Sequence, residues 1–177
     1  MSNPRFAVLT GMILIATAMR LIPHPANFTP LTAMALFGGA CFTDKRMGFL
    51  VPLLGLFLSD IVLGFNALTP VIYGSFALIV CLGFGLRRQR NGARIIGASI
   101  VAAVMFFVLT NFGVWAFSSL YPKTPGGLVD CFVMAIPFFG NTLLSSLFYS
   151  AVLFGGLALA ESRLTGLRED CPMSGNA

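Results

Sequence analysis

Charge is what this sequence has least of. Only 10% of its 177 residues are Asp, Glu, Lys or Arg, against about 25% in an ordinary soluble domain. With so little polar surface the chain cannot face water on every side, so a soluble globular fold is excluded. Histidine is limited to His24 and tryptophan to Trp115. Any Ser–His or Cys–His pair would have to use His24, and no nucleophile is placed for it. One imidazole without nearby acids or thiols also makes no metal site. The cysteines, Cys41, Cys81, Cys131 and Cys171, form no C-x-x-C pair and share no regular spacing. They give neither a disulfide framework nor a zinc site, and a buried free cysteine behaves as a small hydrophobe. There is no G-x-S-x-G, H-E-x-x-H or P-loop. These gaps point away from an enzyme and from a bound cofactor or metal.

What is present is hydrocarbon: 57% of residues are apolar and the mean hydropathy is +0.90. The expected fold class is all-α, an integral membrane bundle of six transmembrane helices in one domain, 1–177. Spans are expected near 5–22, 30–42, 47–65, 70–86, 94–118 and 137–160, with a polar tail at 161–177. The first run has Ala16-Thr17-Ala18, which looks like a signal-peptide cleavage site. However, a single preceding Arg and an apolar run through Leu21-Ile22 favour a helix. The second run is short, about 12 residues, so it is read as a short tilted span or a re-entrant segment. Residues 128–136 read as a short interfacial helix. Pro137 then suits the first turn of the last span, where its missing N–H costs nothing.

The net charge of +5 invites a nucleic-acid reading, but the cations lie in loops between apolar runs. With the N-terminus in the cytoplasm, Arg5, Lys45, Arg46, Arg87, Arg88, Arg90, Arg94, Arg163 and Arg168 share one side. Arg20 and Lys123 have the other. That bias predicts both termini inside, with the basic 87–94 stretch against anionic lipid.

With that orientation the polar side chains fall in the outer half. Arg20 and His24 sit at the outer end of the first helix, in a stiff segment, 20–30, holding Pro23, Pro25 and Pro30. Asn27 and Thr29 lead into the second helix. Asp60, Tyr73, Asn111, Trp115, Asn141 and Thr142 lie toward the outer ends of later helices. A channel or proton pump would want polar groups along its whole depth. A pocket open to the outside and sealed below wants this asymmetry. Each residue also has a plainer role. Asp60 could pair with Arg20, His24 could pack the loop, Asn111 and Asn141 could hydrogen-bond between helices, and Trp115 could sit as an interfacial aromatic.

Arg20-Leu-Ile-Pro-His-Pro-x-Asn-Phe-Thr-Pro30, Leu58-Ser-Asp60, Thr110-Asn-Phe-Gly-Val-Trp115 and Ile136-Pro-Phe-Phe-Gly-Asn-Thr-Leu143 resemble an uncharacterised bacterial membrane family. More widely, six short spans with a rigid first external loop resemble the substrate-binding (S) components of energy-coupling factor transporters. That resemblance implies uptake of a vitamin-like solute, and a transmembrane coupling subunit with ATPases as partners. S components dock through an A-x-x-x-A motif on the first helix, for which Ala7-x-x-x-Gly11 is the nearest match here. Solitary S-like proteins for cobalamin use a cysteine ligand, and only Cys131 is external in this topology.

The expectation is therefore a bacterial inner-membrane, multi-pass protein that takes up a small vitamin-like solute, with cobalamin-related compounds among the candidates. Arg20, His24, Asn27, Asp60, Tyr73, Asn111, Trp115 and Asn141 are the expected pocket residues. Membrane lipid is an expected partner and nucleic acid is not. The alternatives are a structural or assembly protein without ligand, and a membrane-embedded enzyme.

Overall fold

The computed structural model describes residues 4–167. They form α1 (Pro4–Met19), α2 (Leu31–Cys41), α3 (Lys45–Leu63), α4 (Thr69–Phe84), α5 (Gly92–Phe117), α6 (Pro125–Arg163) and a closing 3₁₀ turn (Thr165–Leu167). Arg168, Cys171 and the rest of the expected tail beyond 167 lie outside the described residues. The fold is all-helical, and α3, α5 and α6 are long and apolar enough to cross a membrane.

The bundle is built around α2. All 11 of its residues are buried, as expected of a helix that is apolar all round. At 1.5 Å per residue it rises about 16 Å, roughly half of a 30 Å hydrocarbon core. Small residues let its neighbours close on it. A Cβ added to Gly39 would strike the Val80 carbonyl oxygen, and one on Gly83 would strike the Leu36 carbonyl oxygen. These two glycines therefore set the α2–α4 approach at backbone contact. Met34 of α2 faces Gly55 of α3, and Phe37 meets Phe154 of α6 edge-on at 5.3 Å.

The C-terminal end of α2 is closed by an arginine from α4's far side. Arg87 donates from Nε to Gly39 O at 2.9 Å, from Nη2 to Phe42 O at 2.7 Å and from Nη1 to Thr43 O at 3.1 Å. Its guanidinium lies 4.7 Å from the Phe84 ring centre. A cation on the last carbonyls satisfies groups the helix cannot pair itself and complements its dipole. Sequence reasoning placed Arg87 only as one charge among the loop cations.

The two ends of the bundle are chemically distinct. Arg5 pairs with Glu161 at 2.5 Å, and Phe6 meets Phe42 at 5.7 Å. With Arg87 on Thr43 O, these contacts bring the start of α1, the end of α2, the end of α4 and the end of α6 together. Arg20, the 20–30 loop and Lys123 occupy the opposite end. The exterior between them is apolar. Leu50, Leu54, Phe57, Leu58, Ile61 and Val62 of α3 are all exposed, whereas Ser59, Ser75, Ser99, Ser146 and Ser150 are buried. A contiguous apolar exterior of this kind suits lipid rather than water.

Two boundaries differ from expectation. The last helix does not begin at Pro137; α6 runs unbroken from Pro125, with Pro137 inside it. Thr124 caps it, accepting from Gly127 N at 3.2 Å, and the early turns are held to α5 by Phe107 against Phe132 at 5.8 Å. Tertiary packing thus carries the helix through a proline that lacks one ladder bond. The first helix ends at Met19 rather than reaching Ile22. The prolines from Pro23 onward disfavour helix, and Arg20 N instead closes a turn on Thr17 O at 3.1 Å.

Candidate ligand-binding site

A cavity of about 310 Å³ opens at the Arg20 end, between α2, α4, α5 and α6. The approach loop contributes Asn27 and Thr29, α2 contributes Leu31 and Thr32, α5 contributes Thr110 and Asn111, and α6 contributes Thr142 and Ser145. The walls between are Leu68, Ile72, Phe106, Phe107 and Val114. Its volume lies at the lower end of the range for small-molecule sites, and its apolar walls with a few polar groups are typical of them.

The polar groups of α5 and α6 are held by their own helices. Thr110 Oγ1 donates to Phe106 O at 2.7 Å and Asn111 Nδ2 to Phe107 O at 2.8 Å. Thr142 Oγ1 donates to Phe138 O at 3.4 Å and Ser145 Oγ to Thr142 O at 3.0 Å. None of these bonds bridges two helices. Interhelical bonding is done elsewhere: Ser99 Oγ donates to Ser150 Oγ at 2.8 Å, and Ser146 Oγ to Ser99 O at 2.9 Å.

Of the expected site residues, the fold brings Asn27 and Asn111 to the cavity. Asn27 is at its mouth with φ +61°, a left-handed conformation that asparagine tolerates better than most residues. The other six lie elsewhere. Arg20 pairs with Asp60 at 3.0 Å and donates to Ser59 Oγ and, at 3.5 Å, to Leu56 O. This cluster ties α1 to α3, and both side chains are about nine-tenths buried. The Tyr73 hydroxyl is buried beside the Asp60 carboxylate. His24 is exposed, its Nδ1 2.6 Å from Ile22 O within the loop. Trp115 donates from Nε1 to Pro122 O at 3.0 Å, fastening the α5–α6 turn. Asn141 donates from Nδ2 to Ala26 O at 2.9 Å, so it anchors the 20–30 loop to α6.

Thr32 is one residue that sequence reasoning passed over. It is an ordinary-looking threonine in an apolar run, and only the position of α2 makes it a cavity residue. Ala7 and Gly11 face away from the bundle, and nothing lies within 4 Å of a Cβ placed on Gly11. Among the described residues no three His, Cys, Asp or Glu side chains come together.

A profile described as a family of unknown function, DUF6580, matches residues 1–167. No curated protein and no solved structure matches the chain.

Proposed function

The chain belongs to the DUF6580 family, and we propose that it is a six-span inner-membrane protein that binds a small solute from the outside for uptake. Both termini are cytoplasmic in this reading, with the Arg87 end inward and the Arg20 end outward, which the cation distribution favours. The 20–30 loop, pinned by Asn141 and packed through Phe28 on Tyr149 at 5.8 Å, is the lid. Release to the cytoplasm follows a rigid-body change, driven by a coupling subunit with ATPases as in S components. The solute must bind the two states unequally for that change to do work.

One observation carries the reading. The cavity's polar side chains on α5 and α6 bond only within their own helices, so they do not hold the bundle together. In hydrocarbon surroundings polar groups are costly, and the structural role that would justify them is filled by the Ser99–Ser146–Ser150 group instead. The competing view, a structural protein whose polar residues only join helices, fits that serine group and not the cavity.

The test is a thermal-shift screen of detergent-purified protein against B vitamins, cobalamin and its precursors, queuosine precursors and divalent metals. A ligand at 100 times its Kd adds roughly 2.7 kcal/mol, several degrees for a protein of this size. The expected result is a hit that Asn111→Leu removes while the unliganded melting temperature stays within a degree or two. No hit, with Asn111→Leu simply less stable, would turn the assignment to the structural reading.

A further inference from the structure

The start of α2 is a buried helix end without a side-chain cap among the described residues. Leu31, Thr32 and Ala33 are 6%, 3% and 0% exposed. The first intrahelical bond is Met34 N to Pro30 O at 2.8 Å. The three preceding N–H groups therefore have no partner within the helix. Pro30 occupies the capping position and supplies no side-chain bond. A serine, threonine or aspartate there would have accepted one. No acidic residue stands in the first turn. The Thr32 hydroxyl is also buried, and among the described residues it has no hydrogen-bond partner. Leu31 and Thr32 both line the cavity.

Buried donors without acceptors are expensive, and a helix N-terminus carries partial positive charge. This wall of the cavity calls for an acceptor oxygen. The opposite wall calls for the reverse. Thr110, Thr142 and Ser145 have given their hydroxyl protons to their own helices, and Asn111 has committed an N–H the same way. What remains toward the cavity is mainly oxygen lone pairs, which favour N–H or O–H donors. No Asp, Glu, Lys, Arg or His among the described residues lines the cavity; Arg20 and Asp60 pair with each other between α1 and α3.

We infer that the occupant is a net-uncharged, polar-ended solute. Its acceptor oxygen docks on Thr32 and the first turn of α2, its N–H donors on Asn111, Thr142 and Ser145, and its apolar body against Phe106 and Phe107. At about 30 Å³ per water the cavity holds the equivalent of on the order of ten non-hydrogen atoms. A carboxamide and a zwitterionic amino acid both present this pattern. Nicotinate, with a net negative charge and no N–H donor, and 3-picolylamine, with a net positive charge and no acceptor oxygen, do not. This inference rests on the binding reading above and narrows it to a ligand class.

The experiment uses the purified protein and four small probes: nicotinamide, phenylalanine, nicotinate and 3-picolylamine. Binding is measured by saturation-transfer NMR and thermal shift, in wild type, Thr32→Val and Asn111→Leu. Nicotinamide or phenylalanine should bind and the two charged probes should not; which of the two binds separates the amide from the zwitterion. Thr32→Val should weaken that binding roughly two- to tenfold, the worth of one hydrogen bond. It should leave the unliganded melting temperature level or higher, because the lost hydroxyl had no partner. Binding of nicotinate or 3-picolylamine in preference, or binding indifferent to Thr32→Val, would overturn the inference and leave the binding reading standing. Silence from all four probes beside a hit in the broader vitamin screen would do the same. Silence in both would take both.

Discussion

Arg20 and Asp60 show how a charge survives in an apolar bundle. Each is about nine-tenths buried, and an isolated charge there would cost several kcal/mol after relaxation. The pair is bearable because the Arg20 guanidinium also reaches Ser59 and the Leu56 carbonyl. The consequence is asymmetric. Arg20→Leu or Asp60→Leu alone should lower stability by about 3–5 kcal/mol, since each strands its partner. The double variant Arg20→Met with Asp60→Leu should recover most of that loss. Chemical or thermal unfolding in detergent measures all three, and additive losses in the double variant would refute the pairing. His24 offers the contrast at the same scale. Its side chain is exposed and bonds only within its own loop, so His24→Ala should change stability by no more than about 0.5 kcal/mol.

At the level of elements, α2 and α4 are held by the absence of side chains. Gly39 and Gly83 sit where a methyl group would meet main-chain oxygen, and main chain in a packed helix pair cannot step aside. Gly83→Ala should therefore cost at least the 1–3 kcal/mol typical of overpacking, and should also disturb the cavity above it by tilting α4. Gly74 and Gly97 have nothing within 4 Å of a Cβ, and alanine at either should be neutral or stabilising by helix propensity alone. Melting temperatures of the three alanine variants decide this. Equal effects would mean that the helices can separate without penalty. The glycines were visible in the sequence, but which of them faced a neighbour was not. Ala7-x-x-x-Gly11, a small-residue pair on α1, faces outward.

For the whole molecule, the arrangement of ends is the testable property. Contacts at one end join Arg5 to Glu161 and Arg87 to Thr43, and those at the other join Arg20 to Asp60 and Asn141 to Ala26. In a cysteine-free background, Ala67→Cys should be labelled by an impermeant maleimide in intact cells, and Gln89→Cys only after the membrane is opened. The reverse pattern would invert the proposed orientation, and labelling of both would reject a membrane-spanning bundle.

The sequence by itself determined the all-helical class, the count of six apolar helices and the segregation of cations to one end. These follow from composition and local pattern: hydrocarbon runs long enough to be helices, with prolines and charges that fall mostly between them. Several polar residues that line the cavity, Asn27, Thr29, Asn111 and Thr142, were also readable as one gathering at one end. The tertiary structure alone decided which of those polar residues share a space. Depth along a helix can be counted from sequence, but the direction a side chain faces depends on which helix packs beside it. That is why Arg20 and Asp60 turn to each other, why Asn141 and Trp115 serve loops, and why Thr32, unremarkable in its own segment, stands at an open, buried helix end.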